Sequence, residues 1–338
     1  MPALALIPRL KENFGQIYYI GSVGGMEENI VKGKNIPYYA VSTAKLQRKF
    51  TLKNFAIPAE VMRGYKQAKK LLKKLRPDVV FSKGGYVAVP VVFAAKSLKI
   101  PVVTHESDFS AGLANKLIAP KADKVLTAFS ETAKRFPNGE YTGLPLGDEL
   151  FAAEKSEALA RYGFSGKKPV LLVLGGSQGS RAINAALSAA LDDLLPKFDI
   201  LHLYGGKNKP ISVSEGYKGV AFESEMRYAY AAADVAVTRA GASALFELLA
   251  LKIPSVVIPL PAGTSRGDQV QNAEYFAAKG AICLLYENNL TAKSLETAIS
   301  SAYADRYNFK RRLSAPEYAD GAARVAEVLG AYAGQPNS

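Results

Sequence analysis

Three strand–loop–helix junctions in this sequence are rich in glycine, and each could bring backbone N–H groups close to an anion. The first is Val80-Phe-Ser-Lys-Gly84-Gly85-Tyr86, followed by Pro90. The second is Leu172-Val-Leu-Gly175-Gly176-Ser177-Gln178-Gly179-Ser180. The third is Val237-Thr-Arg239-Ala-Gly241-Ala242-Ser243, which runs into a helical pattern containing Glu247. Glycine allows a ligand to approach the backbone, and free N–H groups at a helix N-terminus attract phosphate. The second loop is the best phosphate cradle, because it follows an apolar run and Ser177 adds a hydroxyl. It lacks the G-x-G-x-x-G spacing of a dinucleotide site. The next strand, ending at Tyr204-Gly205-Gly206, brings no acidic residue for a dinucleotide ribose, and the loop has no Lys-Ser/Thr of a P-loop. A tight βα turn without a ligand would use the same glycines.

Two further groups suit a sugar nucleotide. Glu247 could accept both hydroxyls of a ribose, or simply complement the dipole of its helix. The run Ser265-Arg-Gly-Asp268-Gln269-Val-Gln-Asn272-Ala273 follows an apolar strand pattern. Loops at strand C-termini line the ligand crevice of open α/β sheets. Asp268, Gln269 and Asn272 could meet sugar hydroxyls there, although Asp268 could equally be a helix cap.

The elements that must hold these residues read as α/β. Strand patterns fall at 16–20, 78–82, 101–105, 124–128, 170–174, 200–204, 234–238 and 254–259, with helical patterns between them. Several are apolar throughout, as strands covered on both faces are. The rhythm predicts parallel sheets in two doubly wound domains, which the length of 338 residues accommodates. The pattern resets after Gly143-Leu-Pro-Leu-Gly147, so the domains are expected at 1–147 and 148–338. The opening, Met1-Pro-Ala-Leu-Ala-Leu-Ile-Pro-Arg-Leu-Lys-Glu12, reads as a helix with no strand before it, which leaves one sheet position empty.

No apolar run is long enough to span a bilayer, and no signal-peptide pattern opens the chain. The single cysteine, Cys283, precludes a disulfide within one chain and sits in an apolar run as a core residue. His202 likewise falls inside a strand pattern. Of the net charge of +13, residues 1–150 carry +11, with 23 Lys and Arg against 12 Asp and Glu. Residues 45–76 hold eleven of those cations against Glu60 alone. Val61, Tyr65, Ala68, Leu72 and Leu75 make one helical stripe there, and Arg63, Lys66, Lys69, Lys70, Lys73 and Lys74 lie largely elsewhere on the helix. That is either an ordinary solvated face or a dock for an anionic membrane surface. Nucleic acid is not an expected partner, since no DNA or RNA motif accompanies the charge.

Taken together, Gly-Gly-Ser-Gln-Gly at 175–179, Arg-Ala-Gly-Ala-x-x-x-x-Glu at 239–247 and Asp-Gln-x-x-Asn-Ala at 268–273 resemble the donor-site motifs of the MurG family. Gly-Gly-Tyr-Val at 84–87 and His105-Glu106-Ser107-Asp108 with Gly112-Leu-Ala-Asn115-Lys116 resemble its acceptor-domain motifs. The resemblance runs from residue 2 to about 330. It implies a GT-B fold, two Rossmann-like domains facing across a cleft, with a final helix near 320–330 returning toward the first domain. It implies UDP-N-acetylglucosamine as donor, lipid I (an undecaprenyl-linked acceptor) and inversion at the anomeric carbon, at the cytoplasmic face of the cell membrane. Gly176, Ser177, Gln178 and Gly179 would face the diphosphate. Arg239, Gly241, Ala242, Glu247, Asp268, Gln269, Asn272 and Asn115 would complete substrate binding. Asp108, His105 and Tyr86 are the catalytic candidates, with Asp108 the nominated base. The chain has no D-x-D, so neither a metal nor a cofactor is expected.

Two departures from the family pattern stand out. The first strand and its Gly-Gly-Thr-x-Gly-His-x-x-Pro-Ala loop are reduced to Pro2-Ala3, from which we expect that Met1 is not the natural start or that the gene is degraded. The hinge, Gly143-Leu-Pro-Leu-Gly147, lacks the family's arginine. A diacylglycerol glycosyltransferase and a non-catalytic UDP-sugar-binding protein are the alternative readings.

Overall fold

The computed structural model describes the whole chain except Met1, Met26, 44–56, Ser177, Val213, 264–266 and 335–338. Ser177 and part of the basic stretch therefore lie outside the described residues. The chain divides into two units, Met1–Pro145 with Gly321–Ser338, and Leu146–Asp320.

In the first unit β1 (Tyr19–Ser22) and β2 (Tyr38–Val41) form a two-stranded parallel sheet. A separate parallel sheet runs in chain order through β3 (Val80–Ser82), β4 (Val102–Glu106), β5 (Lys124–Thr127) and β6 (Gly139–Tyr141). The chain opens as two short helices, Pro2–Ala5 and Ile7–Leu10. β4 is buried along all five residues, as a central parallel strand must be. The helices Ile57–Leu75 and Ala88–Ser97 cover one face through Ala68, Leu72, Val91 and Val92. The last helix, Ala322–Gly330, belongs to this unit and buries Ala322, Val325 and Leu329 against Leu6, Val103 and Leu126.

The second unit carries one six-stranded sheet. Its strands are β7 (Val170–Leu174), β8 (Asp199–Leu203), β9 (Tyr217–Val220), β10 (Val235–Thr238), β11 (Ser255–Val257) and β12 (Cys283–Leu284). Their order is β12-β11-β10-β7-β8-β9, all parallel. From β7 the chain steps outward to β8 and β9, then returns to the other side for β10, β11 and β12. The reversal lies between β7 and β10, and such a switch point opens a crevice at the strand C-termini.

Cys283 is half-buried against the core of this unit, and burial raises its thiol pKa. His202 is fully enclosed, with Nδ1 2.8 Å from the Tyr217 hydroxyl and Nε2 3.1 Å from Asn184 Oδ1. Burial pushes its imidazole down to about 4, so it stays neutral.

Candidate functional site

Sequence register brings two of the glycine loops side by side. Leu174 at the end of β7 pairs with Thr238 at the end of β10, and Thr238 pairs with Val257 of β11. The loops that follow line a cavity of about 450 Å³, bordered by Gly175, Gly176, Gly179, Ser180, Arg239, Gly241 and Gln269. That size suits a small-molecule site. Gly179 has φ +74°, and a Cβ there would collide with the Tyr204 carbonyl oxygen, so only glycine fits. Ser180 caps the helix Arg181–Ala189, its Oγ accepting from Ile183 N at 3.3 Å. The first residues of that helix, Arg181 and Ala182, reach the cavity, and the N-terminal end of a helix gives it an anion-seeking wall.

Arg239 ties the walls together. Its Nη2 donates to Ser180 Oγ at 2.6 Å, its Nη1 donates to the Ile258 carbonyl at 3.1 Å, and the guanidinium pairs with Glu287. Its charge is thus partly answered inside the protein. Gln269 reaches the cavity while its Oε1 accepts from Leu260 N at 3.1 Å, which holds the loop after β11.

Other expected donor-site residues stand back from this wall. Asn272 is completely buried and its Nδ2 donates to the Ala240 carbonyl at 3.2 Å. That bond supports the Arg239–Gly241 turn. Ala242 is buried in the first turn of the helix Ala242–Ala250. Glu247, on the same helix, is half-buried, and its Oε2 accepts from the Tyr230 hydroxyl at 2.6 Å. Burial raises the pKa of both groups, the phenol well above its ordinary value. Gln178 is exposed, and its carbonyl accepts from Asn208 Nδ2 at 3.3 Å. Asp268 opens the helix Asp268–Ala278 directly after Gly267, which has φ +81°. Sequence reasoning missed Ser180, Tyr230 and Glu287. A serine just ahead of a helix is a cap signal that could have flagged the first, whereas nothing near Tyr230 or Glu287 in sequence marks either.

In the first unit the second candidate cluster sits at the C-terminal ends of β3 and β4. Glu106 is almost fully buried, and three N–H groups hold its carboxylate. Asp108 N donates to Oε1 at 2.9 Å, while Gly112 N at 2.9 Å and Asn115 Nδ2 at 2.8 Å donate to Oε2. These bonds form the 106–112 loop and leave Asp108 half-buried on it. Gly84 has φ +79°, and a Cβ there would meet Asn115 Oδ1 at 2.8 Å. Asn115 is itself buried, with Thr104 Oγ1 donating to its Oδ1 at 3.2 Å. It therefore braces two loops, those that follow β3 and β4. Tyr86 lies half-buried in the turn leading to the helix Ala88–Ser97.

His105 is fully buried. Its Nε2 lies 2.9 Å from the Gly143 carbonyl, which only accepts, so Nε2 carries the proton. Nδ1 then accepts from the Lys83 ammonium at 2.7 Å. Lys83 also donates to Ser107 Oγ at 2.8 Å. Burial and the Lys83 charge hold the His105 pKa well below its ordinary value. Burial likewise pushes Lys83 down to about 7, against the opposing pull of Glu106 and Asp108.

Known proteins agree with this layout. The family description "Glycosyltransferase family 28 N-terminal domain" matches residues 1–127, and "Glycosyltransferase family 28 C-terminal domain" matches residues 170–327. A protein of Lachnospira eligens is 42% identical over 333 residues, covering 97% of this chain and 94% of its own. One of Lachnoclostridium phytofermentans is 44% identical over 315 residues, covering 91% and 88%. Both are named UDP-N-acetylglucosamine–N-acetylmuramyl-(pentapeptide) pyrophosphoryl-undecaprenol N-acetylglucosamine transferase. The crystal structure of Acinetobacter baumannii MurG is similar at TM-score 0.75 and 26% identity, covering 97% of this chain and 94% of that one. The calicheamicin glycosyltransferase CalG4 shares the fold at TM-score 0.71 and 15% identity, covering 99% and 95%. Two Rossmann-like units in one such chain constitute the GT-B fold, and the chain belongs to glycosyltransferase family 28 and, within it, to the MurG family.

Proposed function

We propose that this chain is an inverting hexosyltransferase that moves N-acetylglucosamine from UDP-N-acetylglucosamine to lipid I, giving lipid II for peptidoglycan. The observation that carries the reading is the cavity at the β7–β10 switch point, where Gly176, Gly179 and Arg239 meet Gln269. The donor diphosphate lies against the Gly175–Gly179 loop, including Ser177, and the N-terminus of the helix Arg181–Ala189. Negative charge builds on that diphosphate as the C1–O bond breaks, and oriented N–H groups stabilise it there. Glu247 accepts the ribose hydroxyls, and Asp268 and Gln269 contact the sugar.

The acceptor hydroxyl attacks the anomeric carbon, UDP leaves, and the hydroxyl proton passes to Asp108. Tyr86 lines the acceptor side with Gly84 and Gly85. The half-buried Asp108 is preferred over His105 because His105 is enclosed and already bonded through both ring nitrogens. The helix Ile57–Leu75 supports peripheral attachment to an anionic membrane. It buries or half-buries Tyr65, Ala68 and Leu72 and exposes Arg63, Lys66, Lys70, Lys73 and Lys74. No helix among the described residues is long and apolar enough to cross a membrane.

The test is UDP release and lipid II formation by the purified chain with UDP-N-acetylglucosamine and lipid I. Asp108→Asn should lower kcat about 10²- to 10⁴-fold, the span of a lost general base, with donor affinity unchanged. Transfer to diacylglycerol instead, or donor binding without any transfer, would overturn the reading.

A further inference from the structure

Among the described residues, Glu287 is the one acidic side chain in the wall of the cavity at the β7–β10 switch point. It stands on the single turn Glu287–Asn289 after β12, with its side chain 27% exposed, and pairs with Arg239. A carboxylate is ill suited to a wall that receives a diphosphate. Like charges brought together repel, and the repulsion grows as water is excluded. Arg239 accounts for its presence. That guanidinium is almost fully buried, and a buried charge without a counter-charge is strongly destabilising.

The two partners are held unequally. Arg239 is fixed by neutral acceptors from two other segments of the sheet. Its Nη2 donates to Ser180 Oγ at 2.6 Å, and its Nη1 to the Ile258 and Pro259 carbonyls at 3.1 and 3.4 Å. The Glu287 side chain has no such anchorage. Its Oε2 is enclosed yet has no hydrogen-bond partner of ordinary geometry, and among the described residues it pairs with no cation besides Arg239. When an anion enters the cavity, Arg239 therefore stays in place and Glu287 is the group that yields.

We propose that Glu287 is an internal counter-ion that competes with the donor diphosphate for Arg239. In the empty site it compensates the buried guanidinium. In the loaded site the diphosphate takes its place, and part of the binding energy goes into displacing the carboxylate. The same carboxylate returns to Arg239 as UDP departs, so it lowers affinity for the charged product and speeds its release. Glu287 touches neither reacting atom in this account and acts through Arg239 as a positioning residue. The inference rests on the reading of this cavity as the donor site.

The test uses the full chain, with Glu287→Gln to remove the charge at constant shape and Glu287→Ala to exclude a new bond from the amide. By calorimetry both variants should bind UDP at least about fivefold more tightly than wild type. Uridine, which has no phosphate, should bind all three proteins alike. Without ligand both variants should melt below wild type, because Arg239 is left uncompensated, and a given concentration of UDP should raise their melting temperatures further than that of wild type. In turnover the KM for UDP-N-acetylglucosamine should fall in the variants while kcat does not rise. A residue that merely held Arg239 in place would weaken UDP binding when changed. UDP affinity unchanged or reduced in either variant would overturn this inference alone, as would a gain of equal size with uridine. Absence of UDP binding by wild type would overturn the donor-site reading on which it rests.

Discussion

Lys83 Nζ lies 2.7 Å from His105 Nδ1, and His105 Nε2 lies 2.9 Å from the Gly143 carbonyl. A buried ammonium thus fixes the tautomer of a buried imidazole, and the imidazole in turn holds the chain where it leaves β6.

The pair has a measurable pH signature. Lys83 titrates near 7 in the folded chain, against an ordinary value of 10.5. Between those values the unfolded chain binds more protons, so the Lys83 contribution to stability rises with pH from about 7 to about 10, by at most about 1.4 kcal/mol per unit. Below pH 7 both states are protonated and the contribution is flat. Lys83→Met removes this slope. Thermal melts of the two proteins at pH 7 and pH 9 should therefore show the wild type gaining on Lys83→Met as pH rises. Parallel curves would show that the amine titrates normally.

The glycine loop makes a second prediction. A methyl group at Gly179 meets the Tyr204 carbonyl and requires φ +74° of an alanine. Gly179→Ala should cost about 1–3 kcal/mol by denaturant unfolding, and it should weaken UDP-N-acetylglucosamine binding in calorimetry. Ser180→Ala is the milder companion. It removes both the helix cap and the Arg239 partner, and should cost about 1–2 kcal/mol. Donor affinity unchanged in both variants would remove the phosphate role from this loop.

Much of the second unit was legible in the sequence because its strands are buried on both faces. Val170–Leu174 and the segment ending at Thr238 read as apolar runs, and the glycines that follow them mark the crevice. Short strands were not legible. Tyr38–Val41 and Gly139–Tyr141 are only partly buried, and β12 has two residues, so none carries a periodic signal. The strand expected at 16–20 begins three residues later, where pairing with Pro37 starts. Site residues followed the same division. Gly176, Gly179 and Gly241 carry a local motif and fall on the cavity. The enclosure of His105, Asn115 and Asn272 depends on elements distant in sequence, so side-chain type alone did not reveal it. Glu287 reaches Arg239 from beyond β12, a contact no local pattern encodes.

Glu247 permits a prediction that separates binding from folding. Its carboxylate is held by the Tyr230 hydroxyl at 2.6 Å, with burial raising its pKa. If it accepts ribose hydroxyls, Glu247→Gln should weaken the natural donor by about 1.5–3 kcal/mol, the range for hydrogen bonds to a charged group. With a donor whose ribose carries no 2′- or 3′-hydroxyl, wild type and variant should bind alike. A penalty that persists with that donor would mean the substitution acts through the Tyr230 contact on the fold.

The basic helix of the first unit makes the last prediction. Lys66, Lys70 and Lys73 are exposed on Ile57–Leu75, opposite the buried Ala68 and Leu72, and none pairs with a carboxylate among the described residues. Reversing their charge should leave the melting temperature nearly unchanged, since the apolar stripe is untouched. Each Lys near an anionic surface contributes about 1 kcal/mol, so even neutralising one should reduce vesicle binding about fivefold. The triple Lys→Glu variant should therefore lose most co-sedimentation with phosphatidylglycerol vesicles. The wild type should lose it as salt rises, because screening shortens the reach of these charges. Equal binding of wild type to neutral and anionic vesicles would assign attachment to apolar insertion and leave this helix as a solvated face.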